Sequence, residues 1–148
     1  MRVATSLFIT SLVALSVNAA TLLLVSQEEM LQSNATNLSF TAKIAPPPDA
    51  PIIDLITPKL DGPITSPTPI LLRFLPKEPS KVKPDSFKAY YGSFQIDITS
   101  RLLAIAQVSP QGINLKEASL PKGNHKILFN VDDSDGRQGS KLVEFEVK

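Results

Sequence analysis

The sequence predicts an all-β protein whose two antiparallel sheets pack face to face, and three observations lead there. From Pro51 to the end, the chain breaks into short apolar runs that alternate with polar residues at the period of a strand. Turn-forming Gly, Pro, Asp and Ser recur between them about every 8 to 12 residues, the rhythm of strands joined by tight connections. Eleven of the 13 prolines lie between Pro46 and Pro84. They crowd the loops and strand starts that tolerate a residue with no amide hydrogen.

The elements follow in chain order. Met1-Arg2 precedes an apolar run from Val3 to Val17, and Val17-Asn18-Ala19 supplies the small residues a signal peptidase requires. The run falls short of the roughly 20 residues that cross a bilayer. Residues 1–19 are therefore expected to be a signal peptide. Leu22 to Val25 offer more apolar length, so a retained anchor is the alternative. An exported chain without cysteine has to be stable in an oxidising space through its core alone, which suits a periplasmic or secreted bacterial domain. Asn34-Ala35-Thr36 and Asn37-Leu38-Ser39 match the glycosylation sequon, a short pattern with no meaning in a bacterial source.

Residues 20–50 are expected to form an N-terminal arm. Ser26 followed by Glu29 has the form of a capping box, which predicts a short helix over about 26–37. A helix of that length is marginal alone, so a mobile arm is the competing expectation. Pro46-Pro47-Pro48-Asp49-Ala50-Pro51 excludes helix and marks a stiff linker.

Residues 51–148 carry the predicted strands. They are Ile52–Ile56, Pro69–Leu75, Ser86–Tyr91, Phe94–Ile98, Ile113–Lys116, Ile127–Val131 and Val143–Val147. Gly92-Ser93 predicts a hairpin turn between the third and fourth. Thr99 to Ala106 is either a helical turn crossing between sheets or another strand. Seven such strands in about 100 residues describe an immunoglobulin-like β-sandwich.

Composition narrows the function classes. The chain has 148 residues, 15 Lys and Arg against 14 Asp and Glu, one His and no Cys. That length holds one domain of ordinary size. A net charge of +1 gives no general attraction to nucleic acid or anionic membrane. Disulfides, thiolate metal sites and Cys nucleophiles are excluded. No Gly-x-Ser-x-Gly, P-loop or His-Glu-x-x-His occurs, so neither enzymatic activity nor a cofactor is expected.

A set of local patterns carries a family resemblance. These are Pro51-x-Ile53, Ser66-Pro67, Ile70-x-Leu72-x-Phe74, Ile96-Asp97-Ile98-Thr99-x-Arg101-Leu102, Leu120-Pro121-x-Gly123-x-His125, and Asp132 with Gly136-Arg137. Together they resemble exported bacterial immunoglobulin-like domains of the fibronectin-like and E-set group, over roughly residues 50–148. The resemblance implies the fold and brings no catalytic residues with it. The chain more distantly resembles the periplasmic copper carriers of copper-resistance systems. Those share a signal peptide, a seven-stranded sandwich and a Leu-Pro-x-Gly turn entering a late strand. In that family the first mature residue is a His that helps bind Cu(II), with further His downstream. Here the mature chain would begin near Ala20 or Thr21, and the sole His is His125, so the copper ligands are missing.

The remaining clusters have structural explanations. Asp132-Asp133-Ser134-Asp135-Gly136 resembles a calcium loop in its spacing, but Val131 and Leu142 would then stand where oxygen ligands belong. A hairpin tip, with Asp accepting from turn amides, is the simpler expectation. His125 has no Cys and no nearby carboxylate, so it is expected to be a surface or hydrogen-bonded residue. Asp97 either bridges to Arg101 or caps the segment from Thr99. No metal site is expected.

Period-two arithmetic points to one surface. With Phe87, Ala89 and Tyr91 inward, Lys88 and Tyr90 face out; with Ile127, Phe129 and Val131 inward, Lys126, Leu128 and Asn130 face out. In an immunoglobulin-type sandwich these strands are neighbours. Tyr90 and Leu128 would then form an apolar spot ringed by Lys88, Lys126 and Asn130. The expectation is a non-catalytic module that binds a protein or cell-envelope partner there, with no nucleic acid and no membrane insertion after signal cleavage. A metal carrier is the alternative.

Overall fold

The computed structural model describes residues 23–36 and 45–148. The predicted signal peptide lies outside the described residues.

Alternating burial defines the strands. In β2 (Thr68–Leu75), Thr68, Ile70, Leu72 and Phe74 are buried and the residues between them are exposed. The same alternation runs through β7 (Gly123–Asp133), from His125 to Asp133. With β1 (Ile52–Thr57), β3 (Val82–Tyr91), β4 (Ile96–Asp97), β5 (Ala106–Ser109), β6 (Gly112–Ala118) and β8 (Gln138–Val147), these form two four-stranded antiparallel sheets. One sheet runs β1-β2-β6-β5 and the other β4-β3-β7-β8. Their inner faces meet on a core that includes Leu72, Phe74, Phe87, Tyr91, Ile113, Leu115, Ile127 and Phe129. Phe87 joins the sheets at its centre, with its ring centroid 6.0 Å from both Phe74 and Phe129.

The described residues thus hold eight strands where seven were expected. The additional strand, β5, is a short edge strand without alternating burial, so it leaves no period-two signal. The segment from Thr99 to Ala106 resolves into α2 (Thr99–Leu103), with β5 starting at Ala106. The predicted strand Phe94–Ile98 shrinks to Ile96–Asp97. Gln95 donates its amide to the Gly92 carbonyl at 3.0 Å, which closes a turn and leaves Phe94 54% exposed. Gly92 (φ 68°) and Gln95 (φ 51°) take the left-handed conformations that turn requires. Beyond it, Asp97 Oδ1 accepts the Thr99 amide at 2.8 Å and directs the chain into α2. Of the two expectations for Asp97, capping is the one observed.

The expected helix is α1 (Gln27–Ala35), with Ser26 and Glu29 forming the full capping box. It is docked on the sandwich. Leu24, Val25 and Met30 are buried in the same core as the strands, and the Leu24 amide donates to the Ser119 carbonyl at 3.0 Å. Glu29 makes a two-pronged ion pair with Arg101, both contacts at 2.9 Å. Arg101 is therefore committed to α1 and not to Asp97. Ser33 is buried against the β3–β4 turn, where its Oγ accepts the Ser93 amide at 3.0 Å and its carbonyl accepts the Ser93 hydroxyl. Gly92 makes that approach possible, because a Cβ there would lie 2.4 Å from Ser33 Oγ.

Candidate functional site: the outer face of the second sheet

The register of β3, β7 and β8 assembles the predicted surface residues. Tyr90 pairs with Leu128, and Leu128 pairs with Leu142, so three apolar side chains form one row across three strands. Paired residues share a face, and the inward neighbours Ile127, Phe129 and Val143 are buried, so this row faces outward. At about 4.8 Å between strands, the row spans about 10 Å. Lys88, Asn130 and Ser140 form the row on one side, and Lys126 and Glu144 lie on the other. Lys88 is exposed, while Tyr90, Lys126, Leu128 and Asn130 are half-buried.

Polar contacts leave part of this border unengaged. Lys126 Nζ lies 3.5 Å from Glu144. Lys88 forms no salt bridge with the described residues. Asn130 Oδ1 is covered and accepts no hydrogen bond among the described residues. Asp97, paired with Tyr90 on β4, closes the row; the Thr99 hydrogen bond holds its carboxyl below the usual range, with a smaller contribution from the Lys88 charge. Leu142 was not among the predicted site residues. Its signal was present, because it occupies the outward phase of the same alternation that turns Val143 and Val147 inward.

His125 has a structural setting. It is buried, its Nε2 donates to the Pro121 carbonyl at 2.8 Å, and its Nδ1 accepts the Tyr91 hydroxyl at 2.9 Å. Its ring stacks on Phe145 at 5.4 Å between centroids. Burial pushes the imidazole below its ordinary pKa, partly offset by the Pro121 carbonyl. The neutral ring thus has no lone pair free for a metal. Burial, with the Glu29 charge, raises the Tyr91 hydroxyl, which keeps it a donor.

The acidic hairpin is likewise self-contained. Asp133 is fully enclosed, and its Oδ1 accepts the amides of Asp135 and Arg137 at 2.9 Å. Its Oδ2 accepts Arg137 Nε at 2.8 Å, and Arg137 also contacts Asp135 and Ser80. Burial alone would push the Asp133 carboxyl up, but the Arg137 amide and guanidinium outweigh it and hold the group below the usual range. Gly136 takes φ 76° at the tip. The guanidinium supplies the positive charge that a calcium ion would otherwise bring, so the hairpin reading describes this segment.

No protein-family model matches this chain, and no curated protein matches it. Among solved structures, the crystal structure of CopC from Methylosinus trichosporium OB3b is similar at a TM-score of 0.46. The two are 20% identical over 66% of this chain and 93% of that one. A likeness of that degree transfers neither ligand nor activity.

Proposed function

We propose that this chain is a non-catalytic, exported, immunoglobulin-like module that binds a protein or cell-envelope partner through the outer face of the β4-β3-β7-β8 sheet. The immunoglobulin-like reading is supported by strand order: lettered from A, the sheets run A-B-E-D and C-F-G with a further strand beside C. The observation that carries the binding reading is the row Tyr90–Leu128–Leu142. A half-buried tyrosine at the end of a row with two leucines, edged by lysines and an asparagine, has the composition of an interface centre with a polar rim. Export is supported by the leader pattern of residues 1–19 and by Leu24 and Val25, whose burial in the sandwich removes them from any longer apolar span. No described helix is long and apolar enough to cross a membrane.

The test is a crosslinking pull-down from envelope extract with the chain from Ala20 onward, beside a Tyr90→Ser/Leu128→Ser variant of unchanged circular dichroism. Truncating two central anchors costs about 1 kcal/mol or more each, so capture should fall at least about tenfold. Equal capture by both proteins would remove this face from the binding reading. The copper-carrier alternative gains nothing from His125, because both its ring nitrogens are engaged.

A further inference from the structure

The outer face of the β1-β2-β6-β5 sheet carries a hollow of about 460 Å³, a size within the range of small-molecule sites. The register of β2, β6 and β5 builds it from two rows. Arg73 pairs with Gly112, and Gly112 with Ser109; two residues along, Leu71 pairs with Asn114, and Asn114 with Gln107. The alternate residues Leu72, Phe74 and Ile113 are buried, so both rows point away from the core. Glycine at the middle of the first row gives the hollow its depth. A Cβ at Gly112 would fall 1.9 Å from the Leu72 carbonyl oxygen, so only glycine fits, and no side chain stands between Arg73 and Ser109. The rim is held in place. The Phe74 amide donates to the Gln111 carbonyl at 2.8 Å, and Ser109 Oγ accepts the Gln111 amide at 3.3 Å. These bonds fasten the turn that carries Gln111 to β2.

The lining selects a ligand chemistry. Among the described residues that line the hollow, Arg73 is the single charged side chain. Asp54, its pair on β1, lines a separate groove beside Lys59 and Lys141. One guanidinium matches the two oxygens and the single charge of a carboxylate, whereas a phosphate dianion would keep charge unbalanced. Gln107, Gln111 and Asn114 bring three carboxamides, each able to donate and to accept, as a row of hydroxyl groups requires. Leu71 and Ile56 add an aliphatic wall. Recognition falls to these side chains, because β2 and β6 each have a strand on both sides and their backbone groups serve the ladders. A peptide strand has no edge to extend here. The hollow stops at Asn114; Lys116, next along the outer face of β6, lies outside it.

We propose that this hollow binds a small sugar acid, with its carboxylate on the Arg73 guanidinium and its hydroxyls on Gln107, Gln111 and Asn114. The C–H face of the sugar ring rests on Leu71 and Ile56. This site is separate from the row Tyr90–Leu128–Leu142, which lies on the other sheet.

Titration of glucuronate into the isotope-labelled full chain, followed by NMR, tests this. Saturable shifts should appear at the Arg73, Gln107 and Asn114 amides, with a Kd of about 1 mM or tighter. Arg73→Gln, at an exposed position, should keep the native spectrum and weaken binding about tenfold or more. Lys116→Gln removes a positive charge just outside the hollow and should change the Kd less than about twofold. Glucose, which lacks the carboxylate, and acetate, which lacks the hydroxyls, should each bind about tenfold or more weakly than glucuronate. Absence of saturable shifts at these amides would overturn the proposal, as would equal weakening by the two substitutions, the mark of a general attraction to anions. Acetate or inorganic phosphate binding as tightly as glucuronate would reduce the hollow to a simple anion site. Tighter binding of N-acetyl-alanyl-alanine would reassign it to a peptide carboxylate; either result overturns the proposal.

Discussion

Replacing Leu24 with alanine tests whether the segment before the linker belongs to the domain. Leu24 is 1% exposed and sits in one core cluster with strand residues as distant in sequence as Val147. The substitution removes three carbons, worth about 2.4 kcal/mol in transfer free energy at about 0.8 kcal/mol each. The cavity left behind adds to this, because the surrounding strands close it only in part, and the total comes to about 3 kcal/mol. Loss of the whole contact between α1 and the sandwich sets the ceiling. The chain has no Trp, so urea unfolding followed by far-ultraviolet circular dichroism is the suitable assay. Leu31→Ala is the matched control: Leu31 lies in α1 but is 57% exposed, so its loss should cost no more than about 0.5 kcal/mol. In thermal unfolding the Leu24 variant should melt about 10 °C lower. A Leu24→Ala protein within about 0.5 kcal/mol of the native chain would refute the docked arrangement, since a detached arm predicts no difference between the two variants.

Three further outcomes follow from side chains already described. The Arg101 guanidinium beside Glu29 holds its carboxyl down at about 2, against an ordinary 4.5. A depressed carboxylate contributes its full stability above pH 4.5 and loses it as pH falls toward 2. Glu29→Gln keeps the capping box but removes the ion pair, so it should lower stability at pH 7 by about 1 kcal/mol and flatten the acid decline across that window. His125, with its pKa lowered, favours the neutral ring in the folded chain. Below 6.5 the unfolded chain binds the extra proton first, so stability should fall as pH drops from 6.5 to the lower folded value. An NMR titration placing His125 at or above 6.5 would contradict its enclosure. Gly139→Ala and Gly136→Ala should both destabilise, for different reasons. The first drives a methyl into the Pro51 carbonyl and should cost more than about 1 kcal/mol by overpacking. The second meets nothing within 4 Å but strains a φ of 76°, at about 1–2 kcal/mol, and denaturant midpoints measure both losses.

What the sequence revealed, and what it concealed, follows from the range of the interactions involved. The central strands were legible because burial on one face imposes period two: Ile70, Leu72 and Phe74 in β2 and Ile127, Phe129 and Val131 in β7 are buried as that period requires. The capping box at Ser26 and Glu29 was legible because it is local. Phe94–Ile98 misled because its alternation came from a turn residue, Phe94, followed by a two-residue strand. Strand β5 was silent because an edge strand with Gln107 and Val108 both exposed has no buried face to announce. Docking of α1 was beyond reach for a third reason. Its contacts join Glu29 to Arg101 and Ser33 to Ser93, and no local pattern encodes pairs so distant in sequence. The outward row shows both cases at once. Tyr90 and Leu128 emerged from strand phase, but Leu142 joins them only through the β7–β8 register.

The proposed binding face stands or falls on where a partner touches the molecule. A photoreactive residue placed at Lys88, on the outer face of β3, can be compared with one at Lys116, exposed on the outer face of β6 in the other sheet. Irradiation in intact cell envelopes, followed by identification of adducts, reports which face is in contact. A discrete adduct is expected from position 88 that disappears in the Tyr90→Ser/Leu128→Ser background, and none from position 116. Adducts from position 116 alone, or an adduct from position 88 that survives the double substitution, would contradict it.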